Sequence, residues 1–108
     1  MKKIIVLLSV VVLAACGASK VVVSAPAQSD VDRGAKIFTG LTLNELNQGK
    51  TAYEANCGKC HGLKNPVKFT EAQWRKEVPP MAKKAKVDAK TEELILKYVV
   101  TMSGATQK

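Results

Sequence analysis

The sequence CGKCH at residues 57–61 decides how this 108-residue chain is interpreted. Two cysteines separated by two residues and followed directly by a histidine are the attachment pattern of a c-type haem. The spacing has a chemical reason, because Cys57 and Cys60 lie one turn apart and their thiols can form thioethers to two vinyl groups on one porphyrin edge. His61 then follows as the proximal iron ligand, and it is the only histidine of the sequence.

Two other kinds of site use similar residues. A zinc site needs four protein ligands, or three and a water, whereas here only Cys57, Cys60 and His61 are near one another in sequence. The sequence contains no second C-x-x-C pair. A thioredoxin-like dithiol needs a βαβ setting, and the hydrophobic pattern indicates no strand. The spacing therefore favours one covalently attached haem c.

The first fifteen residues have the pattern of a secretory signal peptide. Two lysines are followed by an apolar stretch over residues 4–13, which is too short to span a bilayer comfortably. The ending Leu-Ala-Ala-Cys at residues 13–16 resembles the lipobox of bacterial lipoproteins. That resemblance implies cleavage before Cys16 and acylation of its thiol, with palmitate as a typical chain; an ordinary signal peptide, cut to leave a free thiol, is the alternative.

These assignments use all three cysteines of the chain. Cys57 and Cys60 take haem and Cys16 takes lipid, so no disulfide remains to be placed. Several acyl chains give stable anchoring. We therefore expect an exported protein at the periplasmic face of a bacterial membrane, which is the side on which c-type haem is attached.

The chain is strongly basic, with a formal net charge of +8. Without the two leader lysines, 15 basic and 9 acidic residues remain, which gives +6. An exported lipoprotein rarely meets nucleic acid, so we do not expect a nucleic-acid partner. The charge instead indicates steering toward an acidic protein partner or adhesion to anionic lipid, and a merely solvated lysine-rich surface is the alternative.

Composition divides the chain into three parts. Residues 1–15 are the lipoprotein signal peptide, residues 16–40 are the lipidated N-terminus and a flexible tether, and residues 41–108 are the haem domain. The tether contains Gly, Ala, Ser, Pro and Gln, which is typical of flexible linkers. Within it, residues 30–38 either fold back onto the domain or form a disordered arm.

The first helix of the predicted domain starts at Thr42. Thr42 and Glu45 have the spacing of a capping box. Leu46, Gly49 and Tyr53 then fall on one helix face, which leads directly into the cysteine motif. A glycine in mid-helix costs about 1 kcal/mol relative to alanine, and it is justified where another helix crosses close to the backbone.

Two further helices follow. A second capping box opens a short helix at Thr70, which we expect to end at Pro79 because a proline steers the preceding residue out of the α region. A third helix begins at Asp88, an N-cap residue, and stops at Gly104. Its apolar stripe consists of Leu94, Ile95, Tyr98, Val99 and Met102.

The pattern G-x-x-x-Y-x-x-x-C-x-x-C-H over residues 49–61 resembles the class I c-type cytochrome family. The resemblance covers roughly residues 42–102, and it implies an all-α fold of about three helices wrapped around one covalently attached haem. It also implies that Gly49 lets the N-terminal helix cross the C-terminal helix, where Tyr98 is its partner. Trp74, separated from Met81 by six residues, is similar to a feature of a group of small bacterial monohaem cytochromes.

The sixth iron ligand decides the expected function. Met81 is the candidate, since its thioether favours ferrous iron and the rigid pair before it, Pro79-Pro80, stiffens the approach. Met102 is a rival that fits the core better. The remaining alternatives are an open position or a lysine from the group Lys83, Lys84 and Lys86. Trp74 either packs against the porphyrin or fills the core.

With both axial positions filled, the expected protein is a single-electron carrier and not an enzyme. It would pass electrons between exported or membrane-bound redox proteins, and lysines near the haem segments would dock an acidic partner. With an open sixth position, the alternatives are a haem-based gas sensor or the haem subunit of an oxidoreductase or peroxidase.

Overall fold

The computed structural model describes residues 25–61 and 63–105, except for the side chains of residues 58–61. Over these residues the chain is helical and contains no strand, which confirms the predicted all-α class. The elements in chain order are α1 (Gln28–Gly34), α2 (Leu43–His61), a 3-10 turn (Pro66–Lys68), α3 (Glu71–Ala85) and α4 (Ala89–Ser103). Three of the four α-helices correspond to the predicted ones, and α1 is additional.

Helix α2 begins at the predicted capping box. The Thr42 hydroxyl accepts a hydrogen bond from the Glu45 backbone N–H at 3.1 Å, and the Glu45 carboxylate accepts one from the Thr42 N–H at 3.3 Å. The helix then runs unbroken for 19 residues to His61. The C-x-x-C-H motif therefore lies in the last turns of a helix whose start is fixed by its own side chains.

Helix α2 crosses α4 at Gly49, as the mid-helix glycine indicated. A Cβ atom on Gly49 would lie 2.2 Å from the Leu94 carbonyl oxygen and 2.7 Å from the Tyr98 Cβ. Beside this crossing, the Lys97 ammonium lies 2.6 Å from the Glu45 carboxylate. The two helices thus pack backbone to backbone, with an ion pair at the edge of the contact.

Helix α3 is longer than predicted, and the expectation that it ends at Pro79 is wrong. Pro79 and Pro80 lie inside the helix, on its exposed side. Val78 and Ala82 are buried, and Val78 belongs to the cluster that α3 shares with α4. Helical geometry through the prolines keeps these two residues on one face. The helix ends instead at Lys86, which takes the left-handed conformation at φ 56° and donates its N–H to the last turn. Tertiary packing has outweighed a local rule.

Helix α4 matches its prediction at both ends. The Asp88 carboxylate accepts a hydrogen bond from the Thr91 N–H at 2.7 Å, and the helix stops at Gly104. The predicted stripe is buried apart from Leu94, which is half-buried. Met102 is 5% exposed, so this rival iron ligand belongs to the core.

Helix α1 lies within the predicted tether and packs onto α4. The Arg33 guanidinium donates to the Thr101 carbonyl oxygen at 2.9 Å and pairs with Asp30 at 2.8 Å. A Cβ on Gly34 would lie 2.6 Å from the Thr101 side chain. The described part of the predicted tether therefore folds back onto the domain as a packed helix, which is one of the two alternatives given for residues 30–38. The three domain boundaries stay predictions.

The described core consists of two hydrophobic clusters joined by Phe38, which packs against both. The smaller cluster lies under α1 and contains Val31, Leu41 and Leu46. The larger cluster joins α2, α3 and α4, and it contains Tyr53, Trp74, Val78, Ile95, Tyr98, Val99, Val100 and Met102. Among the described residues, no helix combines the length and the apolarity that crossing a bilayer requires.

The crossing at Gly49 predicts a large effect of one methyl group. Gly49→Ala should lower the free energy of unfolding by about 1–3 kcal/mol, since the new Cβ would overlap the Leu94 carbonyl and force the helices apart. Without that contact, the same change would stabilise a helix by about 1 kcal/mol. Urea denaturation of both proteins shows whether the free energy of unfolding falls or rises.

Gln48→Ala, at the exposed neighbouring position, is the control and should change stability by less than about 0.5 kcal/mol. A Gly49→Ala variant that is more stable than the parent would contradict the close crossing.

Candidate functional site

A cavity lies between the C-terminal half of α2, the following loop and α3. Its volume is about 190 Å³, which is below the range of about 300–1,000 Å³ typical of cofactor sites, and it opens to solvent. Its walls are largely apolar and aromatic. They include Tyr53, Cys57, Phe69, Trp74, Pro80 and Met81.

The cavity brings together two residues that were predicted to hold one haem, Cys57 through a thioether and Met81 as an iron ligand. Cys57 comes from α2 and Met81 from α3, both are half-buried, and both line the cavity. Cys60 and His61 occupy the last positions of α2, but their side chains are outside the described structure, as is all of Cys16. The roles predicted for those three residues stay predictions.

Trp74 is both a core residue and a wall of the cavity. It is 1% exposed, and its indole Nε1 donates to the Pro66 carbonyl oxygen at 2.8 Å. Its ring meets Tyr53 edge to face at 6.0 Å between centroids and Phe69 in the same manner at 4.9 Å. Core filling and packing against a porphyrin, the two alternatives raised for Trp74, are therefore compatible. Phe69 was missed from the sequence, because it lies outside every helical pattern.

The Tyr53 side chain joins α2 to the loop after the cysteine motif. Its hydroxyl donates to the Lys64 carbonyl oxygen. Burial raises the pKa of Tyr53 to about 12. The phenol therefore stays protonated at neutral pH and remains a hydrogen-bond donor.

Charged residues stand at the edge of the cavity. Lys64, Glu77 and Lys84 line it and are exposed, and the Lys64 ammonium lies 4.9 Å from the centre of the Phe69 ring. Lys83 and Lys86 are exposed at the end of α3. Within the part of the chain that the structure describes, no three His, Cys, Asp or Glu side chains form a metal-binding group.

No protein-family model, curated protein or solved structure matches this chain. The resemblance to class I cytochromes c therefore rests on the residues alone.

These residue types fit a haem. A porphyrin is a flat apolar group, which suits a cavity walled by Tyr53, Phe69 and Trp74. The Cys57 thiol can form a thioether, and the Met81 sulfur is a soft iron ligand. Lysines at the edge match the negative charge of the propionates.

The buried tyrosines predict how the protein responds to high pH. Burial raises the pKa of both Tyr53 and Tyr98, whereas an unfolded tyrosine ionises near about 10. Folding therefore favours the protonated phenols, so this stabilisation is complete below pH about 10 and is lost as the pH rises toward about 12.

In an alkaline titration, tyrosinate absorbance should therefore appear together with the loss of helical circular dichroism. Tyr53→Phe should make the transition less steep, because one titrating group is removed. Tyrosinate that forms near pH about 10 in a fully helical protein would contradict the burial of these rings.

Proposed function

We propose that this chain is a lipid-anchored monohaem c-type cytochrome that carries single electrons between redox proteins at the periplasmic face of a bacterial membrane. One observation carries the proposal. The C-x-x-C-H motif forms the end of α2, and its first cysteine, Cys57, lines the same cavity as Met81. Anchoring through Cys16 rests on the lipobox pattern.

The proposed roles of the residues follow from their chemistry. Cys57 and Cys60 would hold the haem through thioethers, while His61 and Met81 would be the axial ligands. Trp74 would pack against the porphyrin from the cavity wall. When bound, the haem supplies a reversible one-electron change, and the protein supplies ligation, burial and docking.

Met81 makes electron transfer the best-supported role for such a site. A filled sixth position keeps the same coordination in both oxidation states, so little rearrangement opposes transfer. Met81 lies in the last two turns of α3, next in sequence to the buried Ala82 and one turn after the buried Val78. This packing supports a ligand held in place by its helix and not by a mobile loop.

The first test is the optical spectrum of the haem-loaded protein, oxidised and reduced, with and without carbon monoxide. We expect the weak long-wavelength band of methionine–iron ligation in the oxidised form and no response to carbon monoxide. Met81→Leu keeps the side-chain volume but removes the sulfur, so it should abolish the band, lower the midpoint potential and admit carbon monoxide.

Met102→Leu is the matched control, because it removes the other candidate sulfur from a core position and should leave the band intact. An unchanged spectrum in Met81→Leu would contradict the assignment. Rapid carbon monoxide binding by the parent protein would instead favour a gas sensor or an enzyme subunit.

The lysines at the cavity edge support an acidic redox partner. Lys64 and Lys84 line the cavity, and exposed Lys83 and Lys86 extend the positive surface along α3. Charges of one sign around an electron-transfer edge steer partners of the opposite sign. We therefore propose that the partner docks over the cavity through carboxylates.

Charge reversal at the cavity edge tests this docking surface. With ferricyanide as an anionic oxidant, Lys84→Glu should slow oxidation by about three- to tenfold at low salt and weaken its dependence on ionic strength. Lys36→Glu makes the same change of charge at an exposed position that does not line the cavity, and it should have a smaller effect. Equal effects of the two variants, or rates insensitive to salt, would contradict the surface.

A further inference from the structure

Two buried aromatic side chains hold the loop that follows the haem motif. The Tyr53 hydroxyl donates to the Lys64 carbonyl oxygen, and the Trp74 indole N–H donates to the Pro66 carbonyl oxygen at 2.8 Å. Tyr53 is 2% exposed and Trp74 is 1% exposed. Both hydrogen bonds are therefore anchored in the larger core cluster.

The loop between these two contacts is closed by its own hydrogen bonds. The Asn65 side chain accepts from the Val67 N–H at 3.2 Å, and the Asn65 carbonyl accepts from the Lys68 N–H at 2.9 Å. Phe69 then packs against Trp74. The three successive carbonyls of residues 64–66 each accept a hydrogen bond. The backbone of this segment is therefore fixed in one conformation.

The two donors come from the two helices that supply the proposed iron site. Tyr53 stands one turn before Cys57 on α2, and Trp74 stands two turns before Met81 on α3. Each donor also lines the cavity. The loop thus receives one hydrogen bond from α2 and one from α3 beside the cavity, and its 3-10 turn packs against α4.

We propose that Tyr53 and Trp74 are positioning residues of the haem site, whose hydrogen bonds clamp residues 63–69 against α2 and α3 and keep water from that wall. The inference rests on the proposed function. The Tyr53 hydroxyl and the Trp74 Nε1 both donate to backbone carbonyl oxygens. Neither side chain therefore acts as an iron ligand or as a hydrogen-bond donor to the cofactor.

The clamp has a consequence for the redox potential. Opening the loop admits water to the cavity wall, and water stabilises the extra positive charge of ferric iron better than an apolar wall does. Losing the clamp therefore lowers the midpoint potential. Removal of one hydrogen bond of ordinary net strength raises the population of the open loop about fivefold.

Tyr53→Phe tests the clamp in the haem-loaded full chain, because it removes the hydroxyl and keeps the ring. Hydrogen exchange at the loop amides of Val67, Lys68 and Phe69 should become about fivefold faster, while exchange in α4 stays unchanged. The midpoint potential should shift downward. Trp74→Phe, which removes the second donor, should move both quantities in the same direction.

Ser103→Ala is the matched control. The Ser103 hydroxyl is buried and donates to the Val100 carbonyl oxygen at 2.6 Å within α4, so its loss should alter neither loop exchange nor the potential. Unchanged loop exchange in Tyr53→Phe, or faster exchange spread evenly over α4, would overturn the clamp and leave the proposed function standing. A chain that attaches no haem would overturn the proposed function and, with it, the haem-site role of both residues.

Discussion

The close crossing of α2 over α4 at Gly49 is the constraint on which the remaining structure depends. The Leu94 carbonyl lies where any side chain at position 49 would begin, so the two backbones meet directly. This contact buries Leu46 and Tyr53 on the same face of α2. It also sets the direction of the helix end, and therefore where Cys57 stands relative to α3.

The cavity is built at the edge of the core and shares residues with it. Tyr53 and Trp74 belong to the larger cluster and also form the cavity wall. Their polar atoms are satisfied by backbone carbonyls of the loop, which is how large buried aromatics with a polar group are usually accommodated. One set of contacts thus stabilises the fold, orders the loop and leaves the cavity surface apolar.

Helix α3 shows why local rules were insufficient for the site. Prolines within a helix remove hydrogen-bond donors and are normally disfavoured, so a helix ending at Pro79 was a reasonable expectation. In the structure both prolines are exposed, and Pro80 also lines the cavity, while Val78 and Ala82 are buried. The added turns place Met81 on a helix, and this position could not be read from propensities alone.

The sequence by itself determined the starts of α2 and α4 and the stop of α4, because the caps at Thr42, Asp88 and Gly104 act within a few residues. It also indicated haem attachment, since C-x-x-C-H consists of five consecutive residues and can be recognised without the fold. Only the tertiary structure decided the length of α3, the packing of α1 and the meeting of Cys57 with Met81 at one cavity. Those features depend on contacts between residues far apart in the chain. A local sequence pattern does not predict the strength of such contacts.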